Sequence, residues 1–532
     1  MDCIATHLPY GDTGYFSPIV IDYINGADQL KPFYCHPVSH EGIFNAIKER
    51  KKSPVNRALL VTELIKQYTG IAITEKVRDH ISLLAEENSF TVCTAHQPAI
   101  FTGSLFFIYK ILHIIKLAES FNRSFPGNRF VPVFYMGSED ADLDELGNIF
   151  LGEEKVNWKT TQKGAIGRMK PEGLETLIQR IKGEFSVLPF GEELVEILEE
   201  CYGNSPDIQT ATLKLINRLF GDYGLIVLIP DNAAFKKVML PVFEEELFKE
   251  NSSVIVSKAI EGISRHYKAQ AHPRSINLFY LLGDLRERIE RKGNEWVVVG
   301  TDIRFTADSL RKELQEFPER FSPNVILRGL FQETILPDIA FVGGGGEIAY
   351  WLELKELFEH YHTPYPALIV RNSFLVMEEK WRARLDKLGI TAPSIFKDEQ
   401  SLLNGLVKRE SQKKLDLLEE INGAAVYYNQ IKLVAQQVDN TLVQHVAALQ
   451  SRAIKPLQEL EKKLLRAEKR KFEAEQRQLN TIKKALFPLN GLQERVDNIL
   501  PFYARWGKSF IDIILKNSLT LEQEFTILTV KE

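Results

Sequence analysis

Apolar positions along the chain recur first at helical spacing. Within residues 1–89, FNAIKERKKS and NRALLVTELIKQYTG carry them three and four apart, which predicts a mostly helical arm or cap. From Phe90 the pattern changes to short β-branched and aromatic runs alternating with helical stretches: FTVCTAHQ, SLFFIYKILHIIKLAESF and FVPVFYMGS, then an acidic segment. Such alternation predicts a parallel sheet with crossover helices. Strand-like runs return in GLIVLIPDN, INLFYLL, NVILRGL, IAFVGGGG and ALIVRNS. Residues 90–379 therefore read as an α/β core of the nucleotide-binding type, with insertions at about 151–221 and 284–320.

No strand pattern is visible over residues 380–486. Leu457, Leu460, Leu464 and Ala467 step by three and four as the seam of a coiled coil would. Eleven of the seventeen residues in EKKLLRAEKRKFEAEQR are charged, so only one narrow stripe of this helix can be covered. One helix of about 55 residues before Pro488, at about 1.5 Å per residue, would reach roughly 80 Å. Its expected antiparallel partner lies around Leu415 to Leu449, and residues 487–532 are expected to pack back on the core.

Composition narrows the classes. With 532 residues, 44% of them hydrophobic, the chain can bury more than one core. The 66 basic and 71 acidic residues give a net charge of -5, and no global field favours nucleic acid or a membrane surface. Cys3, Cys35, Cys93 and Cys201 are dispersed without a CxxC pair, which suits a reducing cytoplasm and argues against a disulfide framework. Neither a leader pattern nor a run of about 18 apolar residues is visible, so a soluble, unprocessed protein is expected.

Three loops carry candidate chemistry. In VCTAHQPAIFTGSLFFIYK a strand becomes a helix through a loop where His96 and Gln97 could meet phosphate or substrate and Gly103 permits a φ other residues avoid; taken alone, the stretch favours an ordinary turn. In GSEDADLDELGNIF the carboxylates of Glu139, Asp140, Asp142, Asp144 and Glu145 suit Mg2+, an amine or a ribose, while Ser138 as an N-cap before an acidic first turn explains much of the pattern without a ligand. In FVGGGGEIAYW the glycines, Gly344 and Gly345 among them, expose backbone amides, but the loop is neither GxGxxG nor GxxxxGK[ST]. Glu347 would repel a phosphate there and welcome an ammonium, or serve only as a first-turn carboxylate. Arg328 could clamp a carboxylate or phosphate, with Gln332 beside it, or form a buried ion pair. The histidines of YCHPVSH and HYH lack a familiar ligand spacing, so no metal site is expected, and Cys93 reads as core packing.

Together AHQPAIFTG, VPVFYMGSEDADLDE, NVILRGLFQETILP, FVGGGGEIAYW and LFPLNGLQER, in this order over almost the whole chain, resemble the bacillithiol biosynthesis cysteine-adding enzymes, a family of cysteine ligases. The resemblance implies a Rossmann-like parallel-sheet core with inserted connective segments, similar to class I aminoacyl-tRNA synthetases, and a coiled-coil region that forms a homodimer. It places TAHQPAIFTG where the synthetases carry a HIGH-type loop, although only His96 of the two histidines is present. The implied reaction joins L-cysteine to the glucosamine amine of glucosaminyl malate. A carboxylate does not acylate an amine unaided in water, so ATP or a related nucleotide, with Mg2+ as a companion ion, is expected to activate the cysteine carboxyl. In that scheme Glu347 or the acidic loop holds the cysteine ammonium, and Asp140 accepts a proton from the sugar amine. Binding is assigned to His96, Gln97, Gly103, Ser138, Glu139, Asp142, Arg328, Gln332, Gly344, Gly345, Tyr350 and Arg371. Two alternatives stay open: an adenylate-forming or nucleotidyl-transferring enzyme with another acceptor, and a nucleotide-regulated coiled-coil scaffold.

Overall fold

The computed structural model describes residues 2–411 and 413–531. Strand β1 (Cys3–Pro9) opens the chain, followed by the helices Pro18–Ile24, His40–Arg50, Arg57–Gln67 and Glu75–Leu83. The N-terminal region is thus mostly helical but begins with a strand, which the helical spacing downstream did not announce. Next come β2 (Ser89–His96), the Phe106–Ser124 helix, β3 (Arg129–Met136), the hairpin β4 (Asn148–Leu151) and β5 (Glu154–Asn157), three helices between Leu174 and Phe220, and β6 (Ile226–Leu228). An antiparallel group follows: β7 (Leu278–Leu282), β8 (Leu285–Lys292), β9 (Glu295–Val298), β10 (Arg304–Phe305) and β11 (Phe321–Pro323). The last strands are β12 (Asp338–Gly343), β13 (Ala367–Val370), β14 (Phe374–Glu378) and β15 (Glu524–Val530).

The central sheet is parallel throughout, in the order β13-β12-β2-β3-β6. Its strands are apolar on both faces because helices cover both; every residue of β12 is buried, as is all of β2 up to His96. From β2 the chain builds outward on one side through β3 and β6, then returns to the other side with β12 and β13. The order therefore reverses between β2 and β12, and an open α/β sheet leaves a crevice for ligands at that point, beyond the carboxyl ends of the strands.

Two expected core strands lie elsewhere. INLFYLL supplies β7, which pairs antiparallel with β8 and β11 in the inserted sheet. NVILRGL is the start of the Val325–Ile335 helix: the Asn324 side chain accepts from the Ile326 amide at its N-terminus, and Ile326, Leu327, Leu330 and Phe331 bury one face at helical spacing.

The long helical region is a hairpin of Leu418–Val438 against Leu442–Lys469, in which Gln450 meets both Ala425 and Lys432. It does not contain one 80 Å helix. The second arm has 28 residues, roughly 42 Å, before a tight turn at Arg470–Phe472 and a further helix, Glu473–Leu486. The seam is also rotated from the expected one. Leu460 is 46% exposed and Ala467 is exposed, whereas the less exposed stripe runs through Ile454, Leu457, Glu461, Leu464 and Leu465. No helix among the described residues is long and apolar enough to cross a membrane.

LFPLNGLQER then turns the chain back onto the body, with Leu489 and Asn490 in left-handed backbone. Gln493 exchanges hydrogen bonds with both backbone groups of Val376, so its amide stands in for a neighbouring strand along β14. Beyond it, β15 pairs parallel with β14 and antiparallel with β1. His113, fully buried in the Phe106–Ser124 helix, joins this region to the core. Its Nε2–H donates to the Thr520 carbonyl, and its Nδ1 accepts from the Asn372 amide, an arrangement only the neutral ring can make.

Burial pushes the His113 pKa down to about 4. Below pH of about 6.5 the unfolded chain binds a proton here that the folded chain refuses, so stability falls as pH falls and this loss is complete near the folded value, at about 3 kcal/mol. Urea unfolding of the wild type and a His113→Asn variant at about pH 7 and pH 5 checks this: the wild type is expected to lose more stability between the two.

Candidate active site

A cavity of about 480 Å³ opens at the predicted crevice, a size that suits a small-molecule site. The carboxyl ends of β2, β3, β12 and β13 supply His96, Gly137, Gly344 and Arg371 to its wall, and the inserted sheet and C-terminal segment supply Arg286 and Arg495. Of the residues singled out from sequence, His96, Gln97, Ser138, Glu139, Asp140, Arg328, Gly344, Gly345, Glu347, Tyr350 and Arg371 all line it.

Three do not. Asp142 is exposed and caps the Leu143–Leu146 turn by accepting from the Glu145 amide. Gln332 is buried, donating to Glu333, which is itself paired with Arg50. Gly103, at φ 59, shapes the loop from behind the cavity wall; a Cβ there would meet Ala99 at 2.9 Å. Phe101 and Thr102 precede it with φ of 51 and 73, so the AIFTG loop makes a left-handed kink that ordinary side chains share, held by Tyr202, whose hydroxyl accepts from the Phe101 amide.

Charge is unevenly satisfied in the cavity. Glu347 is not the free carboxylate its loop position suggested. Its Oε2 accepts from the Gly344 amide at 2.9 Å and from the Lys110 ammonium at 2.5 Å. Burial alone would raise its pKa, but Lys110 and that amide hold it below the usual carboxylate range. Lys110 is itself 1% exposed and also donates to the Ala95 carbonyl, so it ties the end of β2 to the glycine loop after β12. Glu139 is likewise spent, against Lys236 and the Ser322 hydroxyl. Arg371 donates to Glu494, the Asn372 carbonyl and Ser373, which anchors the returning segment rather than leaving a free clamp.

Other groups keep capacity, among them Asp140, Arg328 and His96. Asp140 is 34% exposed at the side chain; it accepts from Gln97 Nε2 at 3.1 Å and the Ala141 amide at 2.7 Å, with the Arg286 guanidinium 3.7 Å away. Arg328 donates to the Tyr350 hydroxyl at 2.6 Å and lies over the Tyr135 ring, with no carboxylate in ion-pair contact among the described residues. Burial and the neighbouring Lys110 push the His96 pKa down to about 4. Its Nδ1–H faces the Gln97 carbonyl at 2.9 Å, so the neutral ring leaves Nε2 as an acceptor. The arrangement can bind an anion at Arg328 and an amine or hydroxyl at Asp140 and His96.

Sequence reasoning missed Lys110, Arg286 and Arg495. Lys110 had a signal: SLFFIYKILHIIKLAESF is apolar all round, and a lysine inside a buried helix needs an anionic partner. Arg286 lies in LRERIERK, which reads as a solvated strand.

Known proteins resemble this chain in sequence. The domain described as "Bacillithiol biosynthesis BshC, N-terminal Rossmann-like domain" matches residues 2–372, and "Bacillithiol biosynthesis BshC, C-terminal coiled-coil domain" matches residues 374–530. A protein of Cytophaga hutchinsonii named "Putative cysteine ligase BshC" is 38% identical over 492 residues, covering 92% of each chain. One of the same name from Flavobacterium johnsoniae is 36% identical and covers 99% of each. A solved structure titled as a putative arginyl t-RNA synthetase from Campylobacter jejuni aligns over 82% of this chain and 94% of its own, at 11% identity and a TM-score of 0.22, which carries no argument. With both domain descriptions matched in order from residue 2 to residue 530, the chain belongs to the bacillithiol biosynthesis BshC family.

Proposed function

We propose that this enzyme joins the carboxyl of L-cysteine to the glucosamine amine of glucosaminyl malate, the last step of bacillithiol biosynthesis. The observation that carries the reading is one cavity, at the sheet's reversal point, holding a guanidinium without a carboxylate partner among the described residues, Arg328, and a carboxylate with open capacity, Asp140. The substrates bring the complementary groups: carboxylates for the first, amines for the second. Asp140 takes the proton role, with Gln97 fixing its orientation. Glu347, already neutralised by Lys110, shapes the glycine loop instead of holding the cysteine ammonium.

ATP fits the glycine loop. The Gly345 and Gly346 amides open the helix after β12, Arg328 faces the same space, and Lys110 offsets the repulsion that Glu347 would exert on phosphate. The described residues gather no group of three or more metal-ligating side chains, so an accompanying Mg2+ would rest mainly on the nucleotide and water with at most Glu145 from the wall, leaving Asp140 to the amine proton. When bound, the nucleotide supplies the activation that a free carboxylate lacks; the chain's own groups orient the two substrates and take up the amine proton.

Purified protein given L-cysteine, glucosaminyl malate and ATP, with and without Mg2+, is expected to yield bacillithiol by mass spectrometry. Absence of product under every nucleotide and metal tried would sink the assignment.

We propose further that the enzyme works in the cytoplasm as a homodimer formed through the helical hairpin. Val426, Tyr427, Leu433, Val434 and Val438 expose more than half of their surface along the Leu418–Val438 helix, an apolar stripe that a second copy can cover. Leu433→Asp with Val434→Asp is expected to give a monomer in sedimentation velocity; an unchanged sedimentation coefficient would place the interface elsewhere.

A further inference from the structure

Arg286 reaches the cavity from outside the parallel sheet. It lies on β8 of the inserted sheet, and its guanidinium stacks 4.0 Å from the centre of the Phe279 ring on β7. The side chain is only 13% exposed. The nearest carboxylate oxygen, on Asp140, is 3.7 Å from its Nη1, too far for a hydrogen bond, and its buried Nε has no partner among the described residues. A guanidinium carries five donors, and withdrawing it from water without acceptors is costly. Stacking on Phe279 orients the plane but satisfies none of the five.

A second group lining the same cavity is in the same condition. The Ser138 hydroxyl is fully buried, lines the cavity and has no hydrogen-bond partner among the described residues. The strand bearing Arg286 is also fixed in place. Gly164, at φ +86, packs so closely on the β7–β8 turn that a Cβ would come within 2.7 Å of the Asp284 carbonyl oxygen. Ser138 is pinned likewise, its carbonyl accepting from the Gly167 amide.

We propose that Arg286 and Ser138 form an oxyanion subsite on the insertion side of the cavity, taking a phosphate or carboxylate group of a substrate. This rests on the reading of the cavity as the ligase site, and adds a cation from an inserted element to the Arg328 pole on the core. An anion seated there replaces the long contact between Arg286 and Asp140. Asp140 is then left with Gln97 and the Ala141 amide, able to accept from an amine, so filling the anion subsite readies the carboxylate.

Calorimetric titration of the full chain with ATP in one arm and L-malate in the other distinguishes a phosphate from a carboxylate as the ligand. Arg286→Gln is expected to weaken one of the two by about 10- to 100-fold, the scale of a hydrogen-bonded charge contact, and leave L-cysteine binding unchanged. Arg286→Lys, which keeps the charge but not the fork, is expected to fall between the two, and serves if the glutamine variant fails to fold. Both ligands binding folded Arg286→Gln within twofold of the wild type would overturn the subsite alone. Wild-type protein that binds neither ligand would overturn it together with the ligase-site reading.

Discussion

Asp140→Asn is expected to lower kcat by about 10²- to 10⁴-fold while KM for L-cysteine changes little, the signature of a lost proton acceptor rather than lost binding. Asparagine keeps the shape and the Oδ1 acceptor for the Ala141 amide, so the wall of the cavity should persist. Other acidic residues of the same segment provide the contrast. Glu139 is tied to Lys236, and its replacement acts on stability first. Asp142 is exposed and outside the cavity, so Asp142→Asn should leave both constants unchanged. Initial rates of bacillithiol formation, followed by mass spectrometry, separate the cases; an Asp140→Asn rate within tenfold of wild type would move the base to another group, with Glu145 the next carboxylate on the wall.

Lys110→Met has the largest expected effect on stability. The substitution keeps the length of the side chain and leaves Glu347 in the cavity wall without its cation, and breaking a buried pair from one side costs about 3–5 kcal/mol. It should appear as a lower melting temperature and a lower urea midpoint. Removing both charges, as Lys110→Met with Glu347→Gln, should restore much of the loss, because the uncompensated carboxylate is then gone. His96 offers an independent readout. Burial and then Lys110 keep its pKa near 4, so the single variant should shift the ring's titration upward by NMR, which a purely structural lysine would not do.

The periodic parts of the fold were legible. FTVCTAHQ, FVPVFYM, IAFVGGGG and ALIVRNS are long apolar runs bounded by turn residues, and each became a strand of the central sheet. NVILRGL was misread because four apolar residues beside an arginine satisfy either period, and only the capping side chain of Asn324 decides between them. β1 escaped because CIATHLP does not alternate cleanly, and its partner stands 521 residues further on. Loops that end core strands could be placed at one cavity from topology alone. Which carboxylate there remains open could not, because the cations that neutralise Glu347 and Glu139, Lys110 and Lys236, lie 237 and 97 residues away in sequence.

The pairing of Cys3 with Val530 in adjacent strands also sets a timetable for biosynthesis. On the ribosome β1 emerges first and must wait, with an unpaired edge, for almost the entire chain to be translated. The returning segment Gln493–Val496, ahead of β15, delivers Glu494 to Arg371 and Arg495 to the cavity. A nascent chain can therefore assemble the parallel sheet domain-first, yet it cannot finish the cavity lining until Arg495 has emerged. Nascent or prematurely terminated products that stop before Gln493 should accordingly be inert toward substrate, and all that stop before β15 should offer an open strand edge to chaperones.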